Sequence, residues 1–504
     1  MARRKTKNFA LGPIATLIIM IFVVAIISFI FSKLGVTTNK SEIVNGEIST
    51  VNIGVNNILS KDGIKYFFSS ILSGFKNLDA IYIFIVAMIG IGFADASGLF
   101  KKALKNFKKF KLSFVIVLTL IGGCLLGGLG LNSYAFLLPL AGYVYKNLNK
   151  NPIVGVMTMF IGLTMGQATG IIPTYLQQNL GLLTESSAVI SVDANYIYKN
   201  SSLIYILISS LVIFVSIGNV IIDKYLVPKI PKLKSEEEIE ELEVEHNGLK
   251  KSTIAFVIMM VIFAYFIIPG LPFSGGLLGE GKTYLERLLG ETAPFREAYI
   301  FAFSLMLVVC GTIFARSAKK IKTFDDFTRN FSNVLSGTSL VFVFAFFMSQ
   351  LISLVEWSNI NVFITSLLVN WISALEITGL GLIFIYFIVI IIVSTIMPDS
   401  KAKWAIIAPI AVPLLMRANI SASFTQFIFT AADGIGKGLS ILFPYTAIFF
   451  GLVYKYTENG NFGFIKVYKL LSPLLILFTI LWLVIIITWY VVGIPTGVGV
   501  LPSL

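Results

Sequence analysis

The sequence predicts an all-α polytopic membrane protein built as two inverted repeats, with nine transmembrane helices and two re-entrant helical hairpins. Three observations carry this prediction. The 504 residues are 56% hydrophobic and 13% charged, with a mean hydropathy of +0.88, whereas soluble domains carry roughly 25% charged side chains. Apolar stretches of about twenty residues, the length a helix needs to cross a bilayer, recur along the whole chain. Two of the longest are broken in their middle by polar residues, and the two breaks resemble each other.

Composition also excludes several function classes. The formal charge of +13 is dispersed in short basic clusters between apolar runs, the pattern of cytoplasmic membrane loops and not of a nucleic-acid surface. A single histidine, His246, excludes an imidazole-based metal site. Cys124 and Cys310 both lie in apolar segments and give no disulfide framework. The basic Met1–Lys7 precedes an apolar run too long for a cleavable signal, so the first helix is expected to be retained.

Basic clusters set the expected topology. Arg3, Arg4, Lys5 and Lys7 place the N-terminus in the cytoplasm, and 9–31 crosses outward. Residues 37–76 form an outer segment, partly amphipathic over 51–75, and 78–100 returns to the lysine cluster Lys101–Lys111. Residues 112–147 start and finish beside lysines and are interrupted at Leu131-Asn132-Ser133, so they read as a hairpin that enters and leaves on one side. Irregular backbone at that depth is tolerated only against protein or a water-filled cavity. Residues 153–172 then cross outward and 201–222 return.

An acidic cytoplasmic linker at 235–252 separates the N-terminal repeat, 1–234, from the C-terminal repeat, 253–504. In the second half 253–268 goes out, 299–314 returns, 334–355 goes out, and 361–377 is read as an interfacial helix. A second hairpin at about 380–416 is broken around Pro398–Trp404. Residues 424–454 go in with an interruption at Asp433–Ser440, and 470–492 leave the C-terminus outside. Discontinuous segments paired in opposite orientation are the sequence pointer to a secondary transporter with its site near the membrane midplane.

The candidate site residues follow. Half-helix ends expose unpaired backbone groups and attract ions, which singles out the tips Asn132-Ser133 and Asp399-Ser400-Lys401, with Lys403 and Trp404 just beyond the second. Intramembrane charge is expensive and marks function by default, which adds Asp433 and Lys437, four residues apart. Their plain alternative is a mutual i,i+4 ion pair. Gly276–Thr283 formally fits a phosphate-loop pattern, but it follows a membrane helix where the pattern needs a buried strand, and it is set aside.

Beyond these readings, the chain resembles the AbgT family of p-aminobenzoyl-glutamate transporters from about Pro13 to Pro473. The matching stretches are Gly90–Leu99, Pro139-Leu140-Ala141, Val192–Tyr196, Trp357-Ser358-Asn359, Ala402–Ala405 through Pro409 and Pro413, and Asp433 with Pro444-Tyr445. The resemblance implies a homodimer in the lipid bilayer. It also implies cation-coupled movement of p-aminobenzoyl-glutamate or, in some members, export of sulfonamide-type drugs.

The departures cluster where such a family binds. The family's first tip reads Ser-Asp-Ala-Gly-Tyr, whereas its acid falls here on Leu131 and only Tyr134 matches. The acid expected after the third helix has no counterpart in Gly170–Gly181, a downstream proline and arginine fall on Ala422 and Thr430, and a Thr-Asn pair becomes Gly436-Lys437. A lysine gained where an acid is lost can stand in for a bound Na⁺ or carry protons.

The expected function is therefore secondary transport of p-aminobenzoyl-glutamate or a similar small anion across the cytoplasmic membrane by alternating access. The substrate would bind at Asn132, Ser133, Asp399, Ser400, Lys401, Trp404, Asp433 and Lys437. No cofactor is expected beyond a coupling Na⁺ or H⁺, near Asn132, Ser133 and Asp433. The alternatives are another carboxylate or peptide-like solute, drug export, or an ion channel. No nucleophile–base constellation of the kind an enzyme needs stands out.

Overall fold

A computed structural model describes residues 12–231, 243–457 and 464–504. The N-terminal basic cluster Arg3–Lys7 and the acidic stretch 235–242 lie outside the described residues. Among them, eight helices or helix pairs are long and apolar enough to cross a membrane.

α1 (Pro13–Lys33) opens with a proline, whose fixed φ and missing N–H suit a first helical position. The expected outer segment begins as a β-hairpin, β1 (Thr37–Val44) and β2 (Glu47–Gly54), pairing antiparallel from Thr37↔Gly54 to Val44↔Glu47. Strand thus occupies the start of the partly amphipathic stretch 51–75, and the helix that follows is its amphipathic part. The overlooked signal is Asn45-Gly46, whose φ values of 52° and 81° are those of the tight turn an Asn-Gly pair favours. α2 (Lys61–Lys76), capped by the Ser60 hydroxyl, leads into α3 (Asp79–Ala96) and the short α4 (Leu99–Ala103).

The first predicted hairpin is present: α5 (Leu112–Gly127) and α6 (Ser133–Asn147) flank a break at 128–132. The expected crossing 153–172 is shorter than predicted. α7 (Pro152–Thr164) unwinds, and the chain re-forms as α8 (Tyr175–Ser191), opened by a capping box between Thr174 and Gln177. α9 (Ile204–Ile221) follows. α10 (Glu243–Ile267) starts inside the expected linker, so 243–252 are helix and not connector.

α11 (Tyr284–Leu289) and α12 (Phe295–Ser317) lead to α13 (Phe324–Ser332), α14 (Ser339–Trp357) and α15 (Ile360–Ser373). α15, the segment expected to be interfacial, is tied to the β-hairpin by Asn370, which donates to Thr38 Oγ1 and the Asn39 carbonyl. The second hairpin is α16 (Gly379–Ile396) and α17 (Ser400–Arg417), broken at 397–399. α18 (Ala422–Leu439), α19 (Thr446–Lys455) and α20 (Phe464–Val492) complete the chain.

The interruption expected at Asp433–Ser440 lies instead at 440–445, and α18 is unbroken through Asp433 and Lys437. The glycines there serve close packing. A Cβ on Gly434 would fall 2.3 Å from the Thr164 carbonyl oxygen, and one on Gly436 would fall 2.4 Å from Ser394 Cβ. α18 is buried over Ala422–Gly438, the profile of a helix enclosed by others. α1 and α10 lie at the other extreme, with residues such as Phe22 and Val261 about two-thirds exposed (64% and 65%), as helices that face lipid do. The order of paired helices, a following helix, a break and another helix occurs in both halves: α5–α6, α7, α8 and α16–α17, α18, α19.

Candidate functional site

Helical spacing puts Asp433 and Lys437 on one face of α18, with Nζ 3.0 Å from Oδ2. α17 starts beside that face, and its first turn supplies Ser400 and Lys403. The unwound stretch after α7 supplies Gln167. Three chain discontinuities, the second hairpin tip, the end of α7 and the C-terminal turn of α18, thus meet at one carboxylate.

The cluster is closed to solvent: Lys403 and Asp433 are 0% exposed and Lys437 is 1% exposed. Its hydrogen bonding is saturated. Lys403 Nζ donates to Asp433 Oδ1, to Ser394 Oγ at 2.6 Å and to the Met397 carbonyl at 2.9 Å. Lys437 Nζ donates to Gln167 Oε1 at 2.9 Å and to Ser400 Oγ, beside its pairing with Asp433. Asp433 Oδ2 also accepts from Ser400 Oγ at 2.6 Å and from Gln167 Nε2 at 2.9 Å. An ammonium has three donors; Lys403 uses all three, and Lys437 uses two and faces Asp433 as an ion pair. Two ammoniums against one carboxylate leave the buried cluster one positive charge in surplus. In a low-dielectric site such a surplus attracts an anion strongly.

Trp404 belongs to a different network. Its Nε1 donates to Thr184 Oγ1 at 3.0 Å, and Thr184 in turn donates to Gln426 Oε1. Gln426 Nε2 reaches the Gln177 carbonyl and the Tyr198 hydroxyl. The indole packs on Phe429 with ring centroids 4.4 Å apart. Trp404 therefore fastens the second hairpin to α8.

The first hairpin tip borders a cleft. Asn132 Nδ2 donates to the Arg296 carbonyl and its Oδ1 accepts from Tyr445, while Ser133 Oγ bonds the Leu126 carbonyl and the Tyr299 hydroxyl. The cleft has a volume of about 550 Å³ and is lined by Asp79, Tyr82, Asn132, Glu291, Arg296 and Tyr445 among others. Glu291 pairs with Lys401 of the second tip, so the cleft lies between the two tips. The Arg296 guanidinium sits 5.5 Å from the Tyr175 ring centroid and makes no ion pair among the described residues.

Of the residues predicted from sequence, the structure brings Ser400, Asp433 and Lys437 together, joined by Lys403. Asn132 and Ser133 share no hydrogen bond with Asp433 among the described residues; Asn132 lines the cleft, and Ser133 is buried beside it against Tyr299. Asp399 is exposed, and its carboxylate caps α17 through the Ala402 N–H at 2.9 Å. Lys401 points to Glu291. Sequence reasoning missed Gln167, Ser394, Arg296 and the Thr184–Gln426 pair. Gln167 alone carried a signal, as a polar residue between glycines at the end of an apolar run.

Multiple apolar helices interrupted at points that converge on buried charge define a multi-pass membrane transporter. The sequence profile of the AbgT putative transporter family matches residues 5–504. The chain belongs to that family. A p-aminobenzoyl-glutamate transport protein of Escherichia coli (strain K12) is 21% identical over 500 residues, covering 98% of this chain and 94% of that protein. Two solved structures also align. One is the Alcanivorax borkumensis YdaH transporter, described as having an unusual topology, at 19% identity and TM-score 0.49, covering 97% of this chain and 100% of that one. The other is Neisseria gonorrhoeae MtrF, described as illuminating a class of antimetabolite efflux pumps, at 20% identity and TM-score 0.49, covering 98% of each chain.

Proposed function

We propose that this transporter moves a small aromatic organic anion of the p-aminobenzoyl-glutamate type across the cytoplasmic membrane, by alternating access of its hairpin-bearing core and driven by an ion gradient. The observation that carries the reading is the surplus positive charge of the Lys403–Asp433–Lys437 cluster, sealed at the meeting point of the helix breaks. A buried cationic cluster favours an anionic solute and disfavours a cationic one. The cleft fits the same solute. Arg296 offers a planar fork suited to a carboxylate, and Tyr82 and Tyr445 line the cleft as surfaces for an aromatic ring.

In this reading a carboxylate first meets Arg296 and then draws the second tip away from the cluster. Ser400 and Lys403 would carry that movement, because both belong to α17 and both bond Asp433 of α18. The recurring order of helices and breaks in the two halves supports an inverted repeat, the architecture in which such rocking occurs. The distribution of basic clusters supports a cytoplasmic N-terminus and an external C-terminus, and the exposed apolar faces of helices such as α1 and α10 leave room for a homodimer.

Ligand protection tests the proposal. Purified protein is heated with p-aminobenzoyl-glutamate, with its uncharged diamide, and with glutamate alone. Stabilisation by the dicarboxylate and not by the diamide is the expected result. Equal stabilisation by the diamide would remove the case for an anion.

A further inference from the structure

Family resemblance implies a coupling cation, and the oxygens that would hold one are present. Broken-helix transporters coordinate such ions with unwound carbonyls and polar side chains beside helix ends, and hard cations take oxygen ligands. Here those oxygens are the Met397 carbonyl, Ser394 Oγ, Ser400 Oγ, Gln167 Oε1 and both oxygens of Asp433. Each of the six is already taken by a lysine ammonium. Lys403 Nζ sits on three and Lys437 Nζ on the other three.

The site therefore does not fit a metal cation. A Na⁺ ion entering would meet an ammonium already seated on each of these six oxygens and would raise the buried charge from one surplus positive to two. Among the described residues no group of three or more acidic, cysteine or histidine side chains is placed to hold a metal ion.

We propose that Lys403 and Lys437 are resident replacements for coupling cations, so that the transport cycle neither binds nor requires Na⁺. Lys437 is the residue that closes the site. Its ammonium bridges the second hairpin through Ser400, the end of α7 through Gln167, and α18 through Asp433. Those are the elements a bound ion would hold together. The Lys403 ammonium ties the same carboxylate to the C-terminal end of α16 through Ser394 and the Met397 carbonyl. This inference rests on the transporter reading given above, but its first test does not depend on the substrate.

Thermal unfolding of the detergent-purified full chain is compared in NaCl and in choline chloride at equal ionic strength. The wild type is expected to show no Na⁺-specific shift. Lys437→Gln, which makes the cluster neutral and takes the ammonium off Gln167 Oε1, Ser400 Oγ and Asp433 Oδ2, is expected to gain a saturable upward shift in NaCl. A saturable Na⁺-specific shift in the wild type would overturn the proposal, and so would a folded Lys437→Gln protein that Na⁺ leaves unchanged. Uptake of p-aminobenzoyl-glutamate into proteoliposomes supplies the second arm. True ion coupling changes substrate affinity roughly 5- to 150-fold, so replacing Na⁺ by choline should alter the half-saturating concentration by less than about 2-fold. A larger change overturns the proposal. Absence of uptake in either salt contradicts the substrate reading and leaves the Na⁺-binding result to stand alone.

Discussion

Removing the carboxylate of the buried cluster should be far more damaging than removing either lysine. Among the described residues Asp433 is the one acid paired with Lys403 and Lys437, and all three side chains are sealed from solvent. Asp433→Asn leaves two ammoniums on opposite sides of one neutral side chain. At a separation of about 5 Å and an effective dielectric of about 20, their repulsion alone is about 3 kcal/mol. That agrees with the roughly 3–5 kcal/mol lost when one partner of a buried pair is deleted. Lys437→Gln instead removes the surplus charge and leaves the Lys403–Asp433 pair in place, at the loss of the contacts to Ser400 and Gln167. Its expected cost is about 1–2 kcal/mol, the scale of a few neutral hydrogen bonds. Thermal unfolding of purified protein in detergent, with folded yield from size-exclusion chromatography, reads the order. Asp433→Asn should be the least stable of the two by a wide margin. If Asp433→Asn matches or exceeds the stability of Lys437→Gln, the charge count of two ammoniums to one carboxylate is wrong.

Further predictions follow from the packing and the cleft. Gly436→Ala places a methyl 2.4 Å from Ser394 Cβ, an overpacking worth about 1–3 kcal/mol, so melting temperature and transport should both fall. Trp404→Phe keeps the ring against Phe429 and loses the bond to Thr184; a loss of about 1 kcal/mol in thermal stability is expected. Arg296→Ala should raise KM for the anion about tenfold, the worth of one charge-assisted contact, with kcat little changed. On α13, backbone N–H groups of Lys322 and Thr323 hold the Asp326 carboxyl below its ordinary value. Because the folded value is the lower one, this anchoring is present above the unfolded carboxylate range and fades as pH falls through the folded value. Hydrogen exchange of 322–332, corrected for intrinsic rates, should show protection at neutral pH that is lost in acid.

The helices were legible because membrane spans announce themselves by length and apolarity, and both hairpin breaks were visible as polar residues inside apolar runs, at Asn132-Ser133 and Pro398–Lys403. Glycine misled at Asp433–Ser440. Gly434, Gly436 and Gly438 look like a helix breaker, but two of them mark where α18 approaches Thr164 and Ser394 too closely for a side chain. The β-hairpin was hidden by the expectation of helix, although Asn45-Gly46 carried its turn. At the site, sequence picked out the charged members because charge within an apolar run is conspicuous. It did not show that Trp404 and Lys403, adjacent in sequence, face different networks, since neighbouring residues on a helix point about 100° apart. Gln167 lies 266 positions from Asp433, and only the folded chain joins them.

The proposed passage of a small organic anion through a core governed by the Asp433 cluster is tested by uptake of labelled p-aminobenzoyl-glutamate into proteoliposomes holding wild type or Lys437→Gln, with empty liposomes as the baseline. Saturable uptake above baseline that unlabelled p-aminobenzoyl-glutamate competes away, and that changes in rate in Lys437→Gln, is the predicted result. Uptake that rises linearly with concentration, or identical kinetics in the two folded proteins, would contradict the account.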